Sequence, residues 1–195
     1  IKLIILSFTA GIVKLGTPLT TEEKTQFETA LKQMHDSIRH PIKKIEKDDY
    51  ILVVTNPSEM WEGPHHLVKE NYDAVASGVQ WKKMNTNTTE YLADAFLKDK
   101  VQLENYFDNF FCAIVDKQSN KFILATDILG SFQIAYHFNN GILLFSSHQL
   151  FIKHYQNNQV KICWDAVFEY FLIQHFLGNK TLIEDVSLIP GGHTI

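Results

Sequence analysis

Apolar positions along the chain follow two periods, and the points where the period switches divide it into elements. The opening run "KLIILSFTAGIVKL", residues 2–15, is almost continuously apolar and rich in β-branched residues, as expected of a strand buried on both faces. A turn with Gly16 and Pro18 closes it. "TTEEKTQFETALKQMHDSIRH" then begins with a threonine cap and an acidic first turn. It spaces Phe27, Leu31, Met34 and Ile38 at helical intervals and stops before Pro41, which predicts an amphipathic helix. "DYILVVTN" and "NYDAVASGVQWKK" read as two further strands, the latter with a glycine inside it, separated by a polar loop holding Pro57, Gly63 and Pro64. "NTTEYLADAFLKD" has a cap-like threonine and an apolar stripe at Leu92, Ala95 and Phe96, a second helix. "FFCAIVDKQSNKFILATD" and "FQIAYHFNNGILLFSS" are each two strands around a polar turn, with Asn139-Asn140-Gly141 the hairpin signal of the second. "CWDAVFEYFLIQHF" predicts a last helix, and "GNKTLIEDVSLIPGGHTI" a strand-like tail. This order fits a mainly antiparallel sheet with helices on its faces better than alternating βαβ units.

Composition narrows the function classes. At 195 residues, with 45% hydrophobic and 12% aromatic residues, the chain can bury a full core, and one globular domain is expected. A net charge of -4 leaves no electrostatic footprint for nucleic acid. Arg39 is the single arginine, so the usual clamp for a carboxylate or phosphate is scarce. Cys112 and Cys163, alone in apolar segments, make neither a disulfide framework nor a thiolate metal site, and a reducing, cytoplasmic setting is expected. No signal-peptide pattern and no apolar run near the roughly 20 residues of a membrane span occur, so no membrane partner is expected.

Two stretches carry a family resemblance. In residues 110–147, Ala113, Asp116, Ala125, Asp127, Gly130, Tyr136, Phe145 and Ser147 stand in the order of a pattern running from "F-A-hydrophobic-hydrophobic-D" through "A-R-D-x-x-G" and "Y-Y" to "F-A-S-E". Residues 166–193, "AVFEYFLIQHFLGNKTLIEDVSLIPGGH", match "A-x-x-E-Y-L … T-L-F-E-G-I-x-x-L-P-P-G-H". Both resemble the class II glutamine amidotransferase domain of the family that includes asparagine synthetases, β-lactam synthetases and lasso-peptide cyclases. The resemblance implies an α+β fold, an αββα sandwich of the N-terminal-nucleophile-hydrolase type with two mainly antiparallel sheets between helices. It implies that residues 1–195 form one N-terminal amidotransferase-like domain, with an ATP-dependent synthetase domain outside this chain as its partner. ATP and Mg would serve that second domain, and no cofactor or metal is expected for this one. The resemblance places the full-length protein among ligases of the asparagine-biosynthesis type and leaves a homodimer open.

Carried over position by position, the resemblance implies a degenerate glutaminase site. The family nucleophile is a cysteine at the first residue, whose free α-amine is the base; "SFTAGIV" aligns with that opening and puts Ser7 at the nucleophile position. Six residues precede Ser7, so its amine lies in a peptide bond and cannot take a proton. The arginine that clamps the substrate carboxylate becomes Asn56. The "N-G-E" segment that supplies an oxyanion donor becomes Ser77, Gly78 and Val79, and the aspartate that holds the substrate amine falls at Thr88. "R-H-R-G-P-D" is echoed only by Arg39, His40 and Pro41. His65, His66 and the scattered His35, His40, His148 and His154 lack the paired spacing of a zinc site. Asp127 and Gly130 read as a structural turn. Phe107, Phe110, Phe111, Trp164, Phe168, Tyr170 and Phe171 read as core, or as a surface that packs on another domain. Three functions follow: a scaffold without glutamine turnover, an amidotransferase unmasked by removal of residues 1–6, or a binding module reusing the old glutamine pocket.

Overall fold

The computed structural model describes residues 8–35, 38, 40–55, 65–79, 87–98 and 109–195. Strands β1 (Thr9–Val13), β2 (Ile42–Glu46), β3 (Tyr50–Thr55), β8 (Ala135–Asn139), β9 (Ile142–Ser146) and β10 (Ser187–Leu188) form one sheet in the order β10-β8-β9-β1-β3-β2. Strands β4 (His66–Val68), β5 (Tyr72–Val79), β6 (Asn109–Asp116) and β7 (Lys121–Thr126) form a second, in chain order. All pairings between these strands are antiparallel. Helices α1 (Thr21–His35), α3 (Gln149–Tyr155), α2 (Thr88–Leu97) and α4 (Trp164–Ile173) complete the domain.

Strand alternation sorts the apolar residues into three cores. Ala10, Ile12, Ile51, Val53 and Leu144 face Phe27, Ala30, Leu31 and Met34 of α1 and Phe151 and Ile152 of α3. Val13, Leu52, Val54 and Phe145 face Val75, Phe111, Ala113, Val115 and Leu124 of the other sheet. Ala74, Ala76, Phe110, Cys112 and Ile114 face Leu92, Ala93 and Phe96 of α2. The layers are therefore α, β, β, α, as expected. Both sheets are covered on both faces, which explains the continuous apolar reading of β1 and β3.

Gly11 is set by this packing. A Cβ there would lie 2.5 Å from two ring atoms of Phe145 and 2.9 Å from Leu52 Cδ2, so the ring fills the space that any side chain would need. Phe145 is itself held by Phe111 at 6.1 Å and by the stacked ring of Phe122 at 5.7 Å.

Local chemistry explains the element ends. The Thr20 hydroxyl accepts from Glu23 N at 3.2 Å while Glu23 accepts from Thr20 N at 2.7 Å, a reciprocal capping box. Asn140 and Gly141 both have positive φ, 50° and 77°, as the two-residue turn between β8 and β9 requires. The cap of α2 differs from expectation. It is Asn87, whose side chain accepts from Thr89 N and Glu90 N at 3.0 and 3.3 Å, while Thr88 is buried as the first helical residue. Helix α4 also differs from the core reading, because Trp164, Phe168, Tyr170 and Phe171 are exposed. Among the described residues no helix is long and apolar enough to cross a membrane.

Candidate active site

One contact fixes which ends of the two sheets meet. Tyr50 Oη donates to Asp73 Oδ2 at 2.6 Å, with Tyr50 opposite Val13 and Asp73 near the start of β5. The start of β1 and the ends of β3 and β9 therefore share the opposite end of the sandwich with Ser77–Val79 and the end of β7. The Tyr50 end is tied by an ion pair, Lys117 Nζ to Asp73 Oδ1 at 2.6 Å, and burial, helped by the bonded Asp73 carboxylate, pushes the Tyr50 hydroxyl pKa up.

At the other end the chain buries polar side chains, and they hold the start of β1 by its backbone. Phe8 N donates to Thr55 Oγ1 at 2.9 Å, and Thr55 N to the Phe8 carbonyl at 2.9 Å. Thr9 N donates to Ser147 Oγ at 3.0 Å, while its carbonyl accepts from Ser147 N at 2.9 Å and Ser146 Oγ at 3.2 Å. Ser147 Oγ lies 3.0 Å from His148 Nδ1, and Ser146 Oγ accepts from His148 N at 3.1 Å. The His148 ring packs on Phe8 with centroids 6.0 Å apart, and burial lowers its pKa, which leaves it neutral at neutral pH. His65 is buried beside β5. Its carbonyl accepts from Ala76 N at 2.9 Å and its Nδ1 lies 2.9 Å from the Ala76 carbonyl; burial lowers its pKa to about 4. Among the described residues, none of the side chains bonded around Phe8 and Thr9 carries a charge. They can orient backbone and exchange hydrogen bonds, but they offer no ion pair to a zwitterionic substrate.

Asp127, at the end of β7, is a carboxylate of this end and is fully committed. It accepts from Leu129 N at 3.0 Å, Ser131 N at 3.1 Å and Phe132 N at 3.4 Å, and its carbonyl takes Gly130 N and Gly192 N. Gly191 completes the latch: a Cβ there would sit 2.5 Å from the Ile128 carbonyl oxygen. Asp127 and Gly130 are thus a structural turn locked onto the "PGG" segment.

The fold matches known proteins. Residues 30–195 match the family model of the glutamine amidotransferase domain. The chain belongs to that family. A similar solved structure, with a TM-score of 0.52, is glutamine phosphoribosylpyrophosphate amidotransferase from B. subtilis, complexed with ADP and GMP. The match has 11% identity and covers 76% of this chain but only 43% of that one, so the domain spans less than half of that protein's length. No curated protein matches the chain.

Within this amidotransferase domain the expected site positions are only partly in view. Ser7 and Asn56 lie outside the described residues, although their chain neighbours Phe8 and Thr55 are bonded to each other. Ser77 is buried on β5 opposite Phe111, Gly78 stands opposite Phe110, and Val79 pairs with Asn109. Thr88 is buried at the start of α2, whose later residues reach Tyr72 and Phe110 through Asp94 and Phe96. Arg39 and Phe107 also lie outside the described residues. The sequence gives no sign of a role for Thr55 or Ser146 and shows His148 only as a scattered histidine, because the bonds of Ser146 and Ser147 to Thr9 span 137 and 138 positions. Among the described residues no three His, Cys, Asp or Glu side chains group closely enough to hold a metal ion.

Proposed function

We propose that this amidotransferase domain is the N-terminal scaffold of an asparagine-synthetase-related, ATP-dependent enzyme that forms an amide or lactam, and that it does not itself hydrolyse glutamine. The chemistry at the substrate positions supports this reading. Glutamine hydrolysis in this fold needs a cation for the α-carboxylate, an anion for the α-amine, an oxyanion donor and a base beside the nucleophile. The chain offers Asn56, Thr88 and Ser77-Gly78-Val79, and at Ser7 an amine bound in a peptide. Loss of one oxyanion donor alone costs about a hundredfold or more in rate. Loss of the two charge-assisted contacts, each worth ~1.5–3 kcal/mol, multiplies it. A neutral buried threonine at position 88 cannot replace a carboxylate, because its hydroxyl brings no charge to the ammonium.

ATP and Mg belong, in this proposal, to the partner synthetase domain. Among the described residues, the Gly191-Gly192 segment is no phosphate cradle: both glycines pack on the backbone around Ile128. The amidotransferase domain would orient and support its partner without feeding it ammonia.

Intact-mass measurement combined with a glutamate-release assay on excess glutamine tests the proposal. The expected result is an unprocessed chain and no glutamate. A chain trimmed to begin at Ser7 that accumulates glutamate would overturn it.

A further inference from the structure

A cleft on the sheet face that carries α1 and α3 lies away from the site described above. Its volume is about 310 Å³, at the lower end of the ~300–1,000 Å³ of small-molecule sites. It is lined by the β8–β9 turn and by Ile142, the first residue of β9. The next residue, Leu143, pairs with Val13, which puts the cleft toward the Tyr50 end of the sandwich, whereas Ser146 and the candidate active site lie at the other end of the same strand.

The lining is of one chemical kind. Six carboxamides surround the cleft: Gln26 from α1, Asn139 and Asn140 from the hairpin, and Gln156, Asn157 and Gln159 from the exit of α3. Among the described residues none of these six side chains has a protein hydrogen-bond partner. Their backbones, by contrast, are fixed. Asn140 and Asn157 are held at φ 50° and 52°, and the N–H groups of Gln156, Asn157 and Gln159 donate to the carbonyls of Ile152, His154 and Gln156 at 3.0, 3.0 and 2.9 Å. The floor is apolar, with Leu144 buried and Ile142 and Tyr155 packed against the core under α1 and α3. Burial pushes the Tyr155 hydroxyl pKa up to about 12, so this group remains a donor. His137 Nδ1 lies 2.8 Å from the Asp185 carbonyl, which can only accept, so in the neutral ring Nδ1 holds the hydrogen and Nε2 accepts.

Charge and shape select the ligand. Among the described residues no Lys, Arg, Asp or Glu lines the cleft, and the field of Glu22 and Glu23 reaches Tyr155, which disfavours an anion. With no carboxylate in the lining, a cation has no partner either. The lining therefore suits a neutral ligand that donates and accepts at several adjacent atoms. A carboxamide presents two donors and an acceptor in one plane, which matches neighbouring hydroxyls, each of them both donor and acceptor. An aliphatic floor suits the C–H face of a sugar ring, whereas a nucleobase is recognised by aromatic stacking, which Ile142 and Leu144 do not supply.

We propose that this cleft binds a neutral sugar, a single uncharged ring held by the carboxamides above the aliphatic floor. The proposal goes beyond the scaffold reading and is independent of glutamine turnover.

Nuclear magnetic resonance titration of the isotope-labelled 195-residue chain tests it, with glucose, galactose, mannose and N-acetylglucosamine added separately at millimolar concentration and with adenine and inorganic phosphate as contrasting probes. At least one of the sugars should shift the side-chain amide resonances of Gln26, Gln156 and Asn157 saturably, and adenine and phosphate should leave them in place. Gln26→Ala, which keeps a strong helix former, and Tyr155→Phe, which keeps the ring, should each weaken that binding by about fivefold, the effect of losing one hydrogen bond. Sugars that all leave these resonances unmoved overturn the proposal. So does a shift produced by adenine or phosphate, or sugar binding that either variant leaves unchanged.

Discussion

Substituting Gly11 by alanine adds one methyl group to the layer between the sheets, and the structure shows where it goes. The new Cβ would stand 2.5 Å from Phe145 Cε1 and Cζ and 2.9 Å from Leu52 Cδ2, well inside van der Waals contact. Neither neighbour can retreat easily: Phe145 and Leu52 are fully buried, and the ring of Phe145 lies against Phe111 and Phe122. Overpacking of this kind costs ~1–3 kcal/mol, and a ring wedged by two others argues for the upper end. Removing glycine from the unfolded chain returns ~0.4–1 kcal/mol. The net expectation is a loss of ~2 kcal/mol, or roughly 4–8 °C in Tm for a domain of this size. Urea unfolding of G11A, F145L and the double variant measures both the cost and its source, because the methyl should cost under ~1 kcal/mol once the ring is shortened. A G11A variant as stable as wild type, or one whose penalty is unchanged in the F145L background, would refute the packing account of this glycine.

Two other groups give sharp expectations. Asp127→Asn replaces one of the two carboxylate oxygens that accept from Leu129, Ser131 and Phe132 with an N–H donor. It should cost ~1–3 kcal/mol in urea unfolding and speed amide exchange at these three residues; unchanged exchange would remove the latch. His65 has a folded pKa lowered to about 4 from 6.5, so the unfolded state binds its proton first as pH falls. Its contribution to stability is complete above pH 6.5 and is lost between 6.5 and 4, amounting to ~3 kcal/mol. His65→Gln should therefore flatten the pH dependence of unfolding in that window relative to wild type, and parallel curves would refute the assignment.

How much the sequence disclosed depended on the range of the interaction involved. Helix α1 was legible because its buried face, Phe27, Leu31 and Met34, repeats locally and its cap is built from Thr20 and Glu23, three positions apart. The β8–β9 turn was legible because Asn-Gly is nearly sufficient for that geometry. Strand β2 was not, because it is the edge strand of its sheet and turns Lys43, Lys44 and Glu46 to solvent, leaving Ile45 as its buried residue. Seven-residue α3 is too short to display a period. The apolar character of α4 was plain in "AVFEYFLI", but a pattern states that a face avoids water and not what covers it. At the site, the Asp127 turn could be read from its own segment. The Tyr50–Asp73 bond and the Thr9–Ser147 bonds depend on how distant strands register, which no local pattern encodes.

The position of β1 has a consequence for the order in which the molecule can assemble. This first strand lies inside its sheet, between β3 and β9, and Ala10 pairs with Ser146. A nascent chain can join β1 to β3 early, but the second edge of β1 stays open until the final hairpin has been synthesised. Contacts across such separations are slow to form, and an open apolar strand edge invites pairing with other chains in the interval. The β8–β9 hairpin therefore closes the second edge of β1, and fragments ending before residue 142 should accumulate as aggregates while the 195-residue chain does not.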